Sequence, residues 1–287
     1  MTILHTFWTE IAPGLGVGDA PAGWRSLAEA SLLILVGVTG VGKSATVDAL
    51  GQLGVDFALL PNRRELTDKL IIGYLQQQDG EPRRPVRDRQ QRFDYTRRYR
   101  EANPGGMAHL LDRLWVDPTQ RTGLLLFDGL RGEEEVSYAA ERLPQARFVV
   151  LDAPDMVRVQ RLLGRNDAFD RVGDAVAPPA GDDVDAHLRD FDALGVAEAR
   201  HLFSPGEERA LLDLARRGEV PAAELAAKLR IVVGERRNYD PAAAILVLEN
   251  LAPDRTLVVD TVTNDPVAVA YAVRRFLIRW QDDKVTR

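Results

Sequence analysis

Between Leu32 and Leu53 an apolar run, a glycine-rich turn and a helix-forming segment follow one another directly, and this order restricts the fold more than any other feature of the chain. Leu32-Leu33-Ile34-Leu35-Val36 reads as a strand buried on both faces, since no polar residue alternates with the apolar ones. Gly37-Val38-Thr39-Gly40-Val41-Gly42-Lys43-Ser44 fits GxxxxGK[ST] at every fixed position, and Ser44 to Leu53 is the following helix. Three glycines let the backbone wrap an anion so that successive N–H groups face it, and the helix N-terminus adds partial positive charge. The pattern assigns phosphate contacts to residues 37–44, extending to Ala45 in the first helical turn. Lys43 is expected on the β- and γ-phosphates and Ser44 on Mg²⁺, which makes a nucleoside triphosphate, ATP, the expected ligand.

Downstream the chain alternates strand and helix signals. Val55 to Leu60 is a second strand, ended by Pro61-Asn62, and a helical region runs from Arg64 to about Gln78. A helix near Gly106 to Leu114 precedes a third apolar strand, Gly123 to Asp128, closed by Asp128-Gly129. Glu133 to Arg142 is a helix and Arg147 to Asp152 a fourth strand, after which Pro154 takes the favoured first position of a helix. Thr256 to Asp260 is a fifth strand and Pro266 to Trp280 a closing helix. Apolar strands separated by helices predict a five-stranded parallel sheet with helices on both faces, an α/β fold. Gly14-Leu15-Gly16-Val17-Gly18 follows no clear strand and is expected to be a loop.

About ninety residues separate the fourth and fifth strands, far more than one crossover needs. Arg165 to Glu198 carries nine acidic and three basic residues, and Gly206 to Arg230 shows two helical patterns. The expected organisation is a core over 1–164 with an acceptor-binding region at about 61–120, a helical lid-like insertion over 165–230, and the rest of the core over 231–287.

Three constellations carry further chemistry. Leu124-Leu125-Leu126-Phe127-Asp128 ends an apolar strand in a carboxylate suited to orienting Mg²⁺ together with Ser44. Arg63 and Arg64, with Asp68, follow the second strand at the sheet edge where a parallel α/β fold keeps its ligand crevice, and can face an anionic acceptor. Arg158, Arg161 and Arg165 share one face of the helix after the fourth strand, opposite Met156, Val159 and Leu163, and Arg171 follows. Guanidiniums so placed can neutralise a phosphoryl group in transit.

The loop Gly37 to Ser44, the segment Phe127 to Val136 and Leu151-Asp152-Ala153-Pro154 with its arginines resemble the adenylate-kinase-like P-loop kinases. Asp128-Gly129-Leu130-Arg131-Gly132 is closest to dephospho-CoA kinase-like and archaeal nucleotide-kinase-like members. The resemblance covers the sheet core and is weak over 80–120 and 170–240. The proline that adenylate kinases proper carry before the arginine matching Arg131 is missing, which counts against a nucleoside monophosphate acceptor. The resemblance implies a P-loop NTPase fold, an ATP–Mg²⁺-dependent phosphotransferase, and Lys43 and Asp128 as central residues. It also implies an acceptor site lined by Arg63, Arg64 and Arg131, and a lid contributing Arg161, Arg165 or Arg171. Adenine contacts would come from 261–266, Asn264 and Pro266 among them.

Composition removes other classes. With no cysteine in 287 residues, thiol catalysis and zinc–thiolate sites are excluded, and the four scattered histidines show no metal-ligand spacing. A net charge of −6 argues against general affinity for nucleic acid. The stretch Glu81 to Arg100 departs from that, with eight arginines interleaved with Phe93, Tyr95 and Tyr99, and keeps a nucleic-acid partner open. No run is apolar enough to span a membrane and Met1 to His5 is not a signal sequence, so a cytoplasmic location is expected. Two alternatives to a small-molecule kinase stay open: a nucleotide-dependent switch with a protein partner, and a kinase acting on nucleic-acid ends.

Overall fold

Strands without polar residues have to be covered on both faces, and helices provide the cover. In the computed structural model, which describes residues 8–164 and 188–285, the chain forms two compact units. One comprises Met1–Val38, Gly42–Asp152 and Asp240–Arg287; the other comprises Thr39–Val41 and Ala153–Tyr239.

The first unit is built on a parallel sheet of β4 (Leu32–Val36), β5 (Phe57–Leu59), β7 (Leu124–Leu130), β8 (Ala146–Asp152) and β9 (Thr256–Asp260), in the order β5-β7-β4-β8-β9. Leu32, Ile34 and Val36 point to one face, with Phe127 and Phe148, against α6 (Gly132–Arg142) and α10 (Pro241–Leu251). Leu33 and Leu35 point to the other, on the side of α1 (Lys43–Gln52) and α11 (Pro266–Val285). Every side chain of β4 is at most 1% exposed, and burial of each is worth about 1.5–3 kcal/mol. β4 leads toward the β5 edge while its neighbour β8 leads toward the β9 edge, so their C-terminal ends form a topological switch point, where open α/β sheets keep ligand crevices.

A second sheet, antiparallel, joins β1 (Thr9–Ala12), β2 (Leu15–Val17), β6 (Leu114–Val116) and β3 (Arg25–Ser26) in the order β1-β2-β6-β3. It corrects the expectation of a loop at 14–18. Gly14 and Gly18 adopt positive φ of 68° and 105° as turn residues, whereas Gly16 lies inside β2. A Cβ at Gly16 would sit 2.3 Å from the Trp8 ring, so this glycine is the floor on which Trp8 packs. Three-residue strands leave too short a period for a sequence pattern to reveal.

The expected helix over 64–78 is α2 (Arg63–Leu66), a π-helical stretch Thr67–Ile72 and α3 (Gly73–Gln78), started by a reciprocal capping box between Asn62 and Glu65. β7 runs two residues past Asp128, where the sequence suggested it would close. Pro154 is the cap of α7 (Asp155–Leu163) rather than its first residue.

The second unit packs α7, α8 (Pro205–Arg216) and α9 (Ala222–Arg236) around Val159, Leu162, Phe191, Leu211, Leu225 and Leu229. It is larger than the insertion marked out over 165–230, since α7 and the last turns of α9 contribute to its core and three loop residues, Thr39–Val41, go with it. Among the described residues no helix is long and apolar enough to cross a membrane.

Candidate functional site: the glycine-rich loop

The loop leaves β4 at the switch point. Its first amide, Gly37 N–H, donates to the Leu130 carbonyl at 3.1 Å, and Gly37, Gly40 and Gly42 have φ of 146°, 89° and 102°, values that L side chains rarely adopt. Gly42 ends the turn in the left-handed region, and α1 begins at Lys43 with no side-chain cap. The N–H groups of the first helical turn have no intrahelical partner. Thr46 closes the turn from inside, donating its N–H and hydroxyl to the Gly42 carbonyl at 3.0 and 3.1 Å. Ser44 and Ala45 are exposed.

Lys43 folds back over the loop, and its Nζ donates to the carbonyls of Gly37 at 2.8 Å and Val38 at 3.0 Å. Asp128 Oδ1 lies 3.9 Å from that ammonium, beyond hydrogen-bond range, and among the described residues this buried oxygen has no hydrogen-bond partner. Buried carboxylate oxygens are normally paired, so an unmet one beside a lysine requires an explanation.

A bulge explains how Asp128 is presented. Leu35 pairs with Asp128 but Val36 pairs with Leu130, which leaves Gly129 extra in β7. A Cβ on Gly129 would come within 3.0 Å of Arg63 Cβ, so glycine admits the arginine. Arg63 donates to the Gly129 carbonyl at 2.8 Å and grips both oxygens of Glu135 at 2.6 and 2.7 Å. Glu135 also accepts from the N–H groups of Arg131 at 2.8 Å and Met107 at 3.3 Å.

The sequence-predicted residues therefore separate into groups. The loop, Lys43 and Asp128 come together at the C-terminal end of β4 and β7. Arg63, expected at an acceptor, has its charge matched by Glu135, itself 3% exposed, and it braces the bulge. Arg64 is exposed, and Arg131 lies beside Glu135 through its backbone. Asp68, expected beside the acceptor, is ion-paired with Arg92. Asn264 donates to the carbonyl of Asp260 at 2.8 Å in the turn after β9, two strands from β4, and Pro266 begins α11 after the Asp265 cap. Arg161 donates to the Gly40 carbonyl at 3.3 Å. Arg165 and Arg171 lie outside the described residues.

From Arg89 on, the arginine-rich stretch forms α4 (Arg89–Ala102), and four of the eight arginines of the stretch pair with nearby acids. Arg84 pairs with Glu81, Arg92 with Asp68, Arg97 with Asp94, and Arg98 grips Asp79 at 2.8 Å through both oxygens. Tyr95 and Tyr99 are buried, so these rings are not a stacking surface. The Tyr99 hydroxyl lies 3.0 Å from His109 Nδ1; burial pushes the phenol well above its ordinary range and the imidazole below its own.

Glu135 and Glu235 are the residues that sequence reasoning missed. Glu235 leaves a trace, since it follows Ile231 and Val232 at i+4 and i+3 on the buried stripe of α9. No protein-family model matches the chain, and no curated protein matches it significantly.

Proposed function

We propose that the chain is a P-loop phosphotransferase that moves the γ-phosphoryl group of ATP to a small anionic or phosphorylated acceptor. The observation that carries this reading is the joint geometry of the glycine loop, the folded-back Lys43 and the buried Oδ1 of Asp128, without a hydrogen-bond partner among the described residues, at the C-terminal ends of the parallel strands β4 and β7.

In this reading the loop amides and the α1 N-terminus bind the phosphates through N–H groups that the helix leaves unmet. Lys43 offsets their charge. Asp128 and Ser44 fit a hydrated Mg²⁺: hard oxygen donors, one of them a buried carboxylate oxygen with no hydrogen-bond partner among the described residues, are what such a cation takes alongside phosphate and water. Bound there, the cation would supply Lewis-acid stabilisation of phosphoryl charge. Arg64 and Arg131 are the cations proposed for the acceptor; Arg64 follows Arg63 on α2, and Arg63 with Glu135 braces the bulge that precedes Arg131.

The test is ATP–Mg²⁺ binding followed by transfer to a panel of phosphorylated and carboxylated metabolites. Lys43→Ala should lower kcat/KM by about two to three orders of magnitude, about 3–4 kcal/mol of lost transition-state stabilisation. Equal turnover in Lys43→Ala and wild type rules the reading out.

A further inference from the structure

The peptide at the tip of the loop is held from outside the loop. Glu235 accepts hydrogen bonds from the Thr39 N–H at 3.0 Å and from the Thr39 hydroxyl. Arg158 donates Nε to the Thr39 carbonyl at 2.8 Å, and Arg161 donates to the carbonyl of Gly40. A Cβ at Gly40 would lie 3.1 Å from the Arg158 carbonyl oxygen and 3.2 Å from its Cα, so the tip lies directly on the backbone of α7. The holding groups are themselves fixed. The side chains of Arg158 and Glu235 are 0% exposed and bonded to each other, and Asp155 joins Arg158 at 2.5 Å and Arg236 at 2.7 Å. The side chains of Asp155, Glu235, Arg158 and Arg236 sum to zero charge, and Arg161 adds a cation at the Gly40 carbonyl.

We propose that Glu235, oriented by Arg158, is a positioning residue for phosphate binding: it fixes the third position of the loop, so that an anion is received by the amides that follow. This rests on the phosphate-loop reading above. A backbone N–H already donating to a buried carboxylate does not turn toward a second anion, and a tip fixed through its N–H, hydroxyl and both carbonyls is ordered before the ligand arrives. Ordering in advance lowers the entropy lost on binding. The same carboxylate could instead compete with the anion for Thr39, and charge separates the two roles. Neutralising Glu235 makes the network more positive by one charge, which by Coulomb attraction alone tightens anion binding, whereas loss of positioning weakens it.

The experiment measures the affinity of the full chain for ATP–Mg²⁺ and for pyrophosphate by calorimetry, with thermal unfolding in parallel. The variants are Thr39→Ser, Thr39→Val, Glu235→Gln, the Thr39→Val/Glu235→Gln pair and Lys43→Ala. Thr39→Val leaves the buried charges intact, so the proposal stays testable if Glu235→Gln does not fold. Positioning requires Thr39→Val to bind about 5- to 10-fold more weakly, Thr39→Ser to bind like wild type, and the double variant to be no weaker than Glu235→Gln, because both changes release one restraint. Tighter binding by Glu235→Gln overturns the proposal in favour of a competitor. Unchanged affinity in folded Thr39→Val and Glu235→Gln, with only the unfolding temperature lowered, overturns it in favour of a purely structural network. A wild-type chain that binds neither ligand, or binds no better than Lys43→Ala, overturns the loop reading itself, and that failure shows in arms that contain no change at Glu235.

Discussion

Two carboxylates follow one another on β7 and α6, and the fold treats them in opposite ways. Glu135 is 3% exposed and accepts from both arms of Arg63 and from two backbone N–H groups. Asp128 is 22% exposed, lies 3.9 Å from Lys43, and leaves a buried oxygen without a hydrogen bond among the described residues. Folding stability alone favours the first arrangement, because a carboxylate taken from water regains its solvation only through well-formed bonds. The second lowers stability slightly and keeps an oxygen available, as the proposed cation-binding role requires. Gly129 stands between them: its bulge carries Asp128 to the loop while its carbonyl is held by the arginine that Glu135 fixes.

That contrast can be broken most decisively at Glu135. Glu135→Ala removes the buried carboxylate that accepts from both arms of Arg63 and from two backbone N–H groups, and should cost about 3–5 kcal/mol of unfolding free energy in urea titrations. A loss below 1 kcal/mol would mean that the four bonds are not the scaffold they look like.

Asp128→Asn should do the reverse, changing urea stability by about 0.5 kcal/mol or less while lowering turnover about 100-fold, about 2.7 kcal/mol in activation free energy. If Asp128→Asn instead destabilises the fold and leaves turnover intact, the two carboxylates have the same role and the contrast collapses.

Gly129→Ala sharpens the comparison with the smallest effect. The added methyl meets Arg63 Cβ at 3.0 Å and the Phe127 ring at 3.3 Å, so one neighbour has to shift. A stability loss of about 1 kcal/mol is expected, in the range of mild overpacking. If the bulge aims Asp128, turnover falls along with stability; if stability falls alone, the bulge serves only the Arg63 contact.

Much of the architecture was legible in the sequence because it depends on local rules. Strands apolar at every position, such as Leu32–Val36 and Ala146–Asp152, demand cover on both faces, and the five-stranded parallel sheet follows. The loop is legible for the same reason, since Gly37, Gly40 and Gly42 take backbone angles that other residues rarely adopt. The antiparallel sheet escaped because strands of two to four residues carry no period, and Gly16 serves a packed tryptophan rather than a turn. Helix α10 was hidden within the long connection between β8 and β9.

What the sequence determined by itself is therefore the class of fold, the loop and the chemistry its residue types can perform. Which arginines are paired with which carboxylates was decided by tertiary structure alone. Arg63, Arg158 and Arg98 are the same residue type and were equally open to binding an anion, yet each is matched to a carboxylate far along the chain: Glu135, Glu235 and Asp79. Partners brought together from 19 to 77 residues apart leave no periodic trace, because ion pairing depends on distance in space and burial, and neither is encoded in the spacing of residues along the chain.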